Sequence, residues 1–202
     1  AADAVATNQL ARKNAKTLAA FGAGNQAGYD CMAIARIRNI EKVLVVNADS
    51  TRAERFAHRL AAHGLTVERV SAQDACARAD IIVTATPAKS PLFEADWIRP
   101  GTHISCMGAD GVGKQELPTG LYGRAQLFCD LAAQSVVIGE FQHAAALIQA
   151  GTVTLTQIGA VLGGKATGRK DDQAITIFDS SGIALQDLYI AERLLSACLA
   201  SA

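Results

Sequence analysis

The heptapeptide FGAGNQA, residues 21–27, lies between a short run of small and apolar residues, TLAAF, and a stretch in which Ala, Met and Ile recur at helical spacing as far as residue 38. A chain that leaves a strand through a glycine turn straight into a helix returns to the sheet by a crossover, and crossovers join parallel strands. The remaining pattern agrees. KVLVVN (42–47), DIIVTATP (80–87), THISCMG (102–108), AQLFCD (125–130) and AITIFDS (174–180) carry apolar residues on consecutive positions, as strands covered on both faces must, whereas TVERVS (66–71) alternates. Helical spacing over 51–63 and 73–79 fills the intervals, and 141–150 and 155–162 also read as helices. The expectation is an α/β fold built on a doubly wound parallel sheet. Residues 1–15 read as an entry helix already under way, as in a chain that starts midway through a larger protein. Residues 16–182 form the sheet domain, and 183–202 a C-terminal helix packing toward a largely missing second domain.

Gly22, Gly24 and Ala27 fall on G-x-G-x-x-A at the strand-to-helix turn, a spacing with a physical use. The first glycine makes the turn, the second lets a pyrophosphate approach the backbone, and the small third residue lets helix and strand pack closely. Free N–H groups at the helix start complete an anion site. Dinucleotide binding is therefore expected. At the end of the second strand, Asn47 and Asp49 occupy the place where a ribose is read; Asp49 favours NAD, and Arg52 reads as a solvated helix residue rather than a ligand of the NADP phosphate.

Composition narrows the partners. Nineteen basic and nineteen acidic residues cancel without any basic cluster, which argues against nucleic acid. No apolar run approaches the ~18 residues of a membrane helix. Five scattered cysteines without a C-x-x-C pair suggest reduced, mostly buried thiols and a cytoplasmic setting.

The segment GADGVGKQELP, residues 108–118, has the G-x-x-x-x-G-K spacing of a triphosphate loop. Gln115 stands where that loop needs Ser or Thr for magnesium, and Pro118 stops the helix it needs. The alternative is a loop at the carboxyl edge of the sheet, where ligands bind in open α/β folds, with Asp110 as the group that moves a proton on substrate. Lys114 is expected to pair with a carboxylate such as Glu116 or to contact the adjacent loop, in a structural rather than a catalytic role. Asp130 ends a strand and Glu140 starts a helix, where capping explains it. His58, His63, His103 and His143 lack metal-site spacing, and no metal is expected.

FGAGNQA, DIIVTATP, GADGVGKQEL and TIFDSSGIALQDL, in that order, resemble the ornithine cyclodeaminase and mu-crystallin family over nearly all 202 residues. The resemblance implies a Rossmann-like domain that binds NAD or NADP. It also implies a second domain, covering the nicotinamide and forming a homodimer in the full-length protein. On it, Gly22, Gly24, Asn25, Gln26 and Ala27 match the pyrophosphate turn, and Thr84, Thr86 and Pro87 the strand end beside the cofactor. Gly108 joins the cofactor-binding set, and Ser180 and Gly182 match the late strand that approaches the nicotinamide. Asp110 matches the acidic residue of proton transfer. Ala48 replaces an arginine common after the second strand, which weakens NADP. The family's substrate-carboxylate arginine and active-site lysine find no counterpart in these residues. The implied activity is NAD-dependent conversion of L-ornithine to L-proline and ammonia by transient hydride transfer. The alternatives are an L-amino-acid dehydrogenase or cyclic imine reductase, and a mu-crystallin-like protein that binds NADPH without turnover. The 202 residues alone are expected to bind dinucleotide and lack turnover.

Overall fold

The computed structural model describes residues 2–200; Ala1, Ser201 and Ala202, at the outer ends of the first and last segments expected above, lie outside them. Eight strands form one sheet in the order β3-β2-β1-β4-β5-β8-β6-β7, with every pair parallel. In chain order they are β1 (Thr17–Phe21), β2 (Lys42–Val46), β3 (Val67–Arg69), β4 (Ile81–Thr84), β5 (His103–Cys106), β6 (Ala125–Cys129), β7 (Leu155–Gln157) and β8 (Ile175–Asp179). The order reverses between β1 and β4, so their carboxyl ends diverge into a crevice, the usual ligand position in such sheets.

Consecutive apolar residues divide between two cores. Leu18, Ala20, Val43, Val45, Ile81 and Val83 pack under one layer of helices, whereas Ala19, Phe21, Leu44, Ile82, Ile104 and Cys106 face the other side. That period-two split is why the strands carry no polar alternation. The first face is covered by α1 (Ala2–Leu10), α2 (Asn25–Ile37) and α3 (Ser50–Ala61). The second is covered by α4 (Ala72–Arg78) and, beyond it, by loops carrying Phe93, Ile98, Leu121, Tyr122 and Phe141.

Four details differ from what the sequence predicts. Residues 155–162 are not one helix: Leu155–Gln157 pair with Leu127–Cys129 at the sheet edge, and α7 (Ile158–Leu162) follows without a turn. A strand that runs straight into a helix leaves the helical apolar spacing intact, which conceals the boundary. The opening helix ends at Leu10, and a single turn, α5 (Ala132–Ser135), follows β6. Over 141–150 the expected helix is a 3-10 stretch (Glu140–Ala144) followed by α6 (Ala145–Gln149). The last helix, α8 (Ala184–Ala200), buries none of its residues and exposes Leu185, Leu188, Tyr189, Ile190, Leu194, Leu195 and Leu199. Cys31, Cys76, Cys106 and Cys129 are buried and unpaired, and Cys198 on α8 is exposed. Among the described residues no helix is long and apolar enough to cross a membrane.

Candidate functional site

The glycine turn is built as its spacing requires. Gly22 adopts φ +106, its N–H donates to the Val46 carbonyl at 3.0 Å, and a Cβ there would come within 2.7 Å of the Ala85 carbonyl oxygen. Only glycine satisfies both the left-handed backbone and that approach. Gly24 is the N-cap of α2 and supplies no side-chain cap, so the first N–H groups of the helix stay available; a Cβ on Gly24 would meet nothing within 4 Å. Ala27 is fully buried where α2 crosses the sheet. In front of the turn lies a cleft of about 410 Å³ lined by Ala23, Gly24, Asn25, Arg52, Arg55, Phe56 and Arg59. An uncapped helix start, open space at the second glycine and three arginines suit a pyrophosphate.

Several expected site residues have partners that sequence did not reveal. Asn25 accepts from Arg59 Nη1 at 2.9 Å, and Gln26 donates to Asp30 at 2.8 Å. Asn47 accepts the Asp49 N–H, and Asp49 caps α3, accepting from the Arg52 N–H at 3.0 Å with the Arg52 Nε at 3.3 Å. Arg52 is thus held beside Asp49 at the rim of the cleft.

Behind the crevice stands a carboxylate whose burial the sequence does not reveal. Glu116 has no exposed surface and does not pair with Lys114. Its Oε1 accepts from the Thr86 N–H at 2.7 Å and the Thr86 hydroxyl at 2.8 Å, and its Oε2 from the Thr84 hydroxyl at 2.7 Å and the Gly108 N–H at 3.0 Å. Burial pushes this carboxyl above the ordinary glutamate range, against the opposing pull of its donors. Thr84, expected beside the cofactor, is wholly buried. Thr86 lies between two glycines: a Cβ on Gly22 would sit 3.2 Å from its Cγ2, and one on Gly108 2.4 Å from its carbonyl oxygen. Pro87 is exposed at the rim.

A second buried carboxylate supports the first. Glu140 is not a cap for its own helical turn; it accepts the Glu116 and Leu117 N–H groups at 2.9 and 2.8 Å and the Tyr122 hydroxyl at 2.8 Å. Its own N–H donates to Asp179 at the end of β8, whose other oxygen accepts the Ser135 hydroxyl. Burial raises Glu140 and takes Asp179 up to about 7. Every one of these oxygens is engaged by a donor, so the cluster offers no ligand set, and no group of metal-holding residues occurs among the described residues. Loop glutamates without local periodicity carry no sign of burial; only the distant donors reveal it.

Lys114 instead pairs with Asp110 and also donates to the Gly108 carbonyl. The Gly113 N–H is taken by Gln142 at 2.8 Å. Both groups that a triphosphate loop would turn toward phosphate are therefore committed within the protein. Asp110 has a side chain 61% exposed, two residues beyond the Gly108 that closes on β4. On the neighbouring strand, the Ser180 N–H donates to the Cys106 carbonyl, and its hydroxyl to Asp130 at 3.0 Å. The turn after β1, the exits of β4 and β5 and the end of β8 thus meet along one edge.

A parallel sheet with a strand-order reversal, an open glycine turn and an uncapped helix start define a Rossmann-type domain. Within that class the chain belongs to the ornithine cyclodeaminase/mu-crystallin family, whose model matches residues 1–200. It is 43% identical over 195 residues to the iminosuccinate reductase of Paracoccus denitrificans, covering 95% of this chain and 60% of that protein. The crystal structure of that reductase in complex with NAD+ superposes with a TM-score of 0.90 at 41% identity, over 96% of this chain and 60% of its own. An archaeal alanine dehydrogenase dimer with bound NAD gives a TM-score of 0.92 at 34% identity, over 99% and 62%. The ornithine cyclodeaminase of Agrobacterium fabrum is 32% identical over 200 residues, covering 96% of this chain and 55% of that enzyme. The chain thus spans about three fifths of the length of these relatives.

Proposed function

We propose that these residues form the dinucleotide half of an NAD-dependent enzyme that interconverts a small L-amino acid and its imine by hydride transfer at the α-carbon. The open turn at Gly24, facing a cleft with three arginines, is the observation that carries the cofactor reading. The NAD complexes of two relatives at 41% and 34% identity support it. The bound nicotinamide supplies hydride acceptance and donation. The chain's part is to orient it: α2, Arg55 and Arg59 hold the phosphates, and the exits of β4, β5 and β8 bound the crevice. Asp110 is read as the base that takes a proton from the α-ammonium, or returns one to the imine nitrogen, with Lys114 orienting its carboxylate. Asp49 and Arg52 occupy the ribose end. Helix α8, with its apolar face exposed, is read as part of a second, dimer-forming unit.

Net reduction or dehydrogenation is placed first because an iminosuccinate reductase is the relative at 43% identity. Cyclodeamination of ornithine is the second reading, favoured by the 32% identity to a cyclodeaminase and by Asp110 in its loop. Stoichiometry separates them: a dehydrogenase accumulates reduced nicotinamide, and a cyclodeaminase does not. In the full-length enzyme, Asp110→Asn is expected to lower kcat by about 10²- to 10⁴-fold while NADH affinity stays the same. Turnover at the unmodified rate would exclude Asp110 as the proton carrier.

A further inference from the structure

We propose that Glu116 is a positioning residue for the dinucleotide: from behind the crevice it ties the exit of β4 to the exit of β5, and so sets the wall against which the cofactor lies. The proposal rests on the dinucleotide reading above. Its geometry is specific. Each carboxylate oxygen receives one hydroxyl and one backbone N–H: Thr86 Oγ1 and N on Oε1, Thr84 Oγ1 and Gly108 N on Oε2. The segment so held runs directly against the glycine turn, since a Cβ on Gly22 would lie 2.7 Å from the Ala85 carbonyl and 3.2 Å from Thr86 Cγ2. The depth of the crevice over that turn therefore follows from where Thr86 is held. The carboxylate is itself fixed from two sides. The Glu116 N–H donates to Glu140, its carbonyl accepts the Leu92 N–H at 2.9 Å, and the preceding Gln115 N–H donates to the Ala88 carbonyl at 3.0 Å.

A glutamine cannot replace this group. In either orientation its NH₂ would face a backbone N–H, that of Thr86 or that of Gly108, and a backbone N–H cannot turn away as a hydroxyl can. Protonation is milder, because the Thr84 or Thr86 hydroxyl can rotate to accept the new proton while the N–H contacts weaken. The charged and titratable groups around the carboxylate are Glu140 on the 3-10 turn behind it, the buried Cys106 thiol on β5, Asp179 beyond Glu140, and Lys114 on the Gly108 carbonyl. None is a cation in contact with Glu116, so its protonation state depends on its four donors and its burial.

The test is NADH binding followed by nucleotide fluorescence from pH 5 to 8.5, with circular dichroism to confirm the fold at each pH. The unmodified protein is expected to lose affinity as Glu116 takes up its proton on acidification. E116Q should bind about 10- to 100-fold more weakly at pH 8 and lose that acid limb. T84V, near-isosteric and buried, removes one donor to the ionised form and should move the acid limb to higher pH; it decides the matter if E116Q fails to fold. E116Q binding within about twofold of the unmodified protein, or an unmoved limb in T84V, would overturn the proposal. Failure of the unmodified protein to bind NADH at any pH would instead remove the dinucleotide reading, and this proposal with it.

Discussion

Gly108 offers a sharp test of how the crevice is built. An alanine there would place its Cβ 2.4 Å from the Thr86 carbonyl oxygen, 2.6 Å from the Thr86 nitrogen and 2.6 Å from Glu116 Oε1. Ordinary carbon contacts need about 3.5 Å or more, so a gap of about 1 Å has to open. Two of the three atoms are backbone, and the third belongs to a carboxylate held by four donors, so neither can simply rotate aside. Overpacking of this kind costs about 1–3 kcal/mol. Displacing Gly108 also loosens its N–H from Glu116, a bond to a buried carboxylate worth about 1.5–3 kcal/mol. Gly108→Ala should therefore destabilise the protein by about 2–5 kcal/mol, measured as a fall in the urea midpoint at unchanged m-value. Gly111→Ala is the control. It lies in the same loop, has no positive φ and would meet nothing within 4 Å, so its stability should stay within about 0.5 kcal/mol of the unmodified protein. Equal midpoints for the two variants would refute the account of a β4–β5 closure at Gly108.

Two other substitutions test separate parts of the structure. Gly28→Ala, inside α2, conflicts only with the tip of Arg59, whose Nη2 lies 1.8 Å from the added Cβ; that side chain can swing into solvent. The gain of about 0.5–1 kcal/mol in helix propensity should offset the loss of two exposed bonds, leaving stability within about 1 kcal/mol. A larger loss would show that Arg59 is fixed. Asp30, buried on α2 and facing Asp3, is pushed up to about 7 by burial and then by the Asp3 charge, against the Gln26 hydrogen bond. Its folded pKa lies above the unfolded value of 3.8, so the stability it contributes is complete below pH 3.8 and is lost as pH rises through about 7. Asp30→Asn should gain stability over the unmodified protein across that interval, by a few kcal/mol, about 1.4 per pKa unit, and then level off. A difference independent of pH in denaturation series would contradict the buried carboxyl pair.

The parallel sheet could be read from residues 17–22, 42–47 and 80–87 because burial on both faces removes polar residues from successive positions, and that signal is local. The glycine turn could be read because Gly22, Gly24 and Ala27 fall within one short segment, although the approach that excludes a Cβ at Gly22 comes from Ala85. The insertion of β8 between β5 and β6 joins segments about 50 to 70 residues apart, and no spacing within either segment encodes that neighbour. The same holds for GADGVGKQELP. Its glycines and lysine suggested phosphate, yet the Gly113 N–H and the Lys114 ammonium are taken by Gln142 and Asp110. Glu116, as fully buried as Ala109 and Leu117 in the same segment, reads on sequence alone as a candidate partner for that lysine. A carboxylate is stable in the interior only where donors converge on it, and the donors to Glu116 come from β4, its exit, and the loop after β5. Local backbone chemistry thus determined the turn and the strands, while the closure of the crevice behind Thr86 was decided by tertiary packing, which brings those donors together.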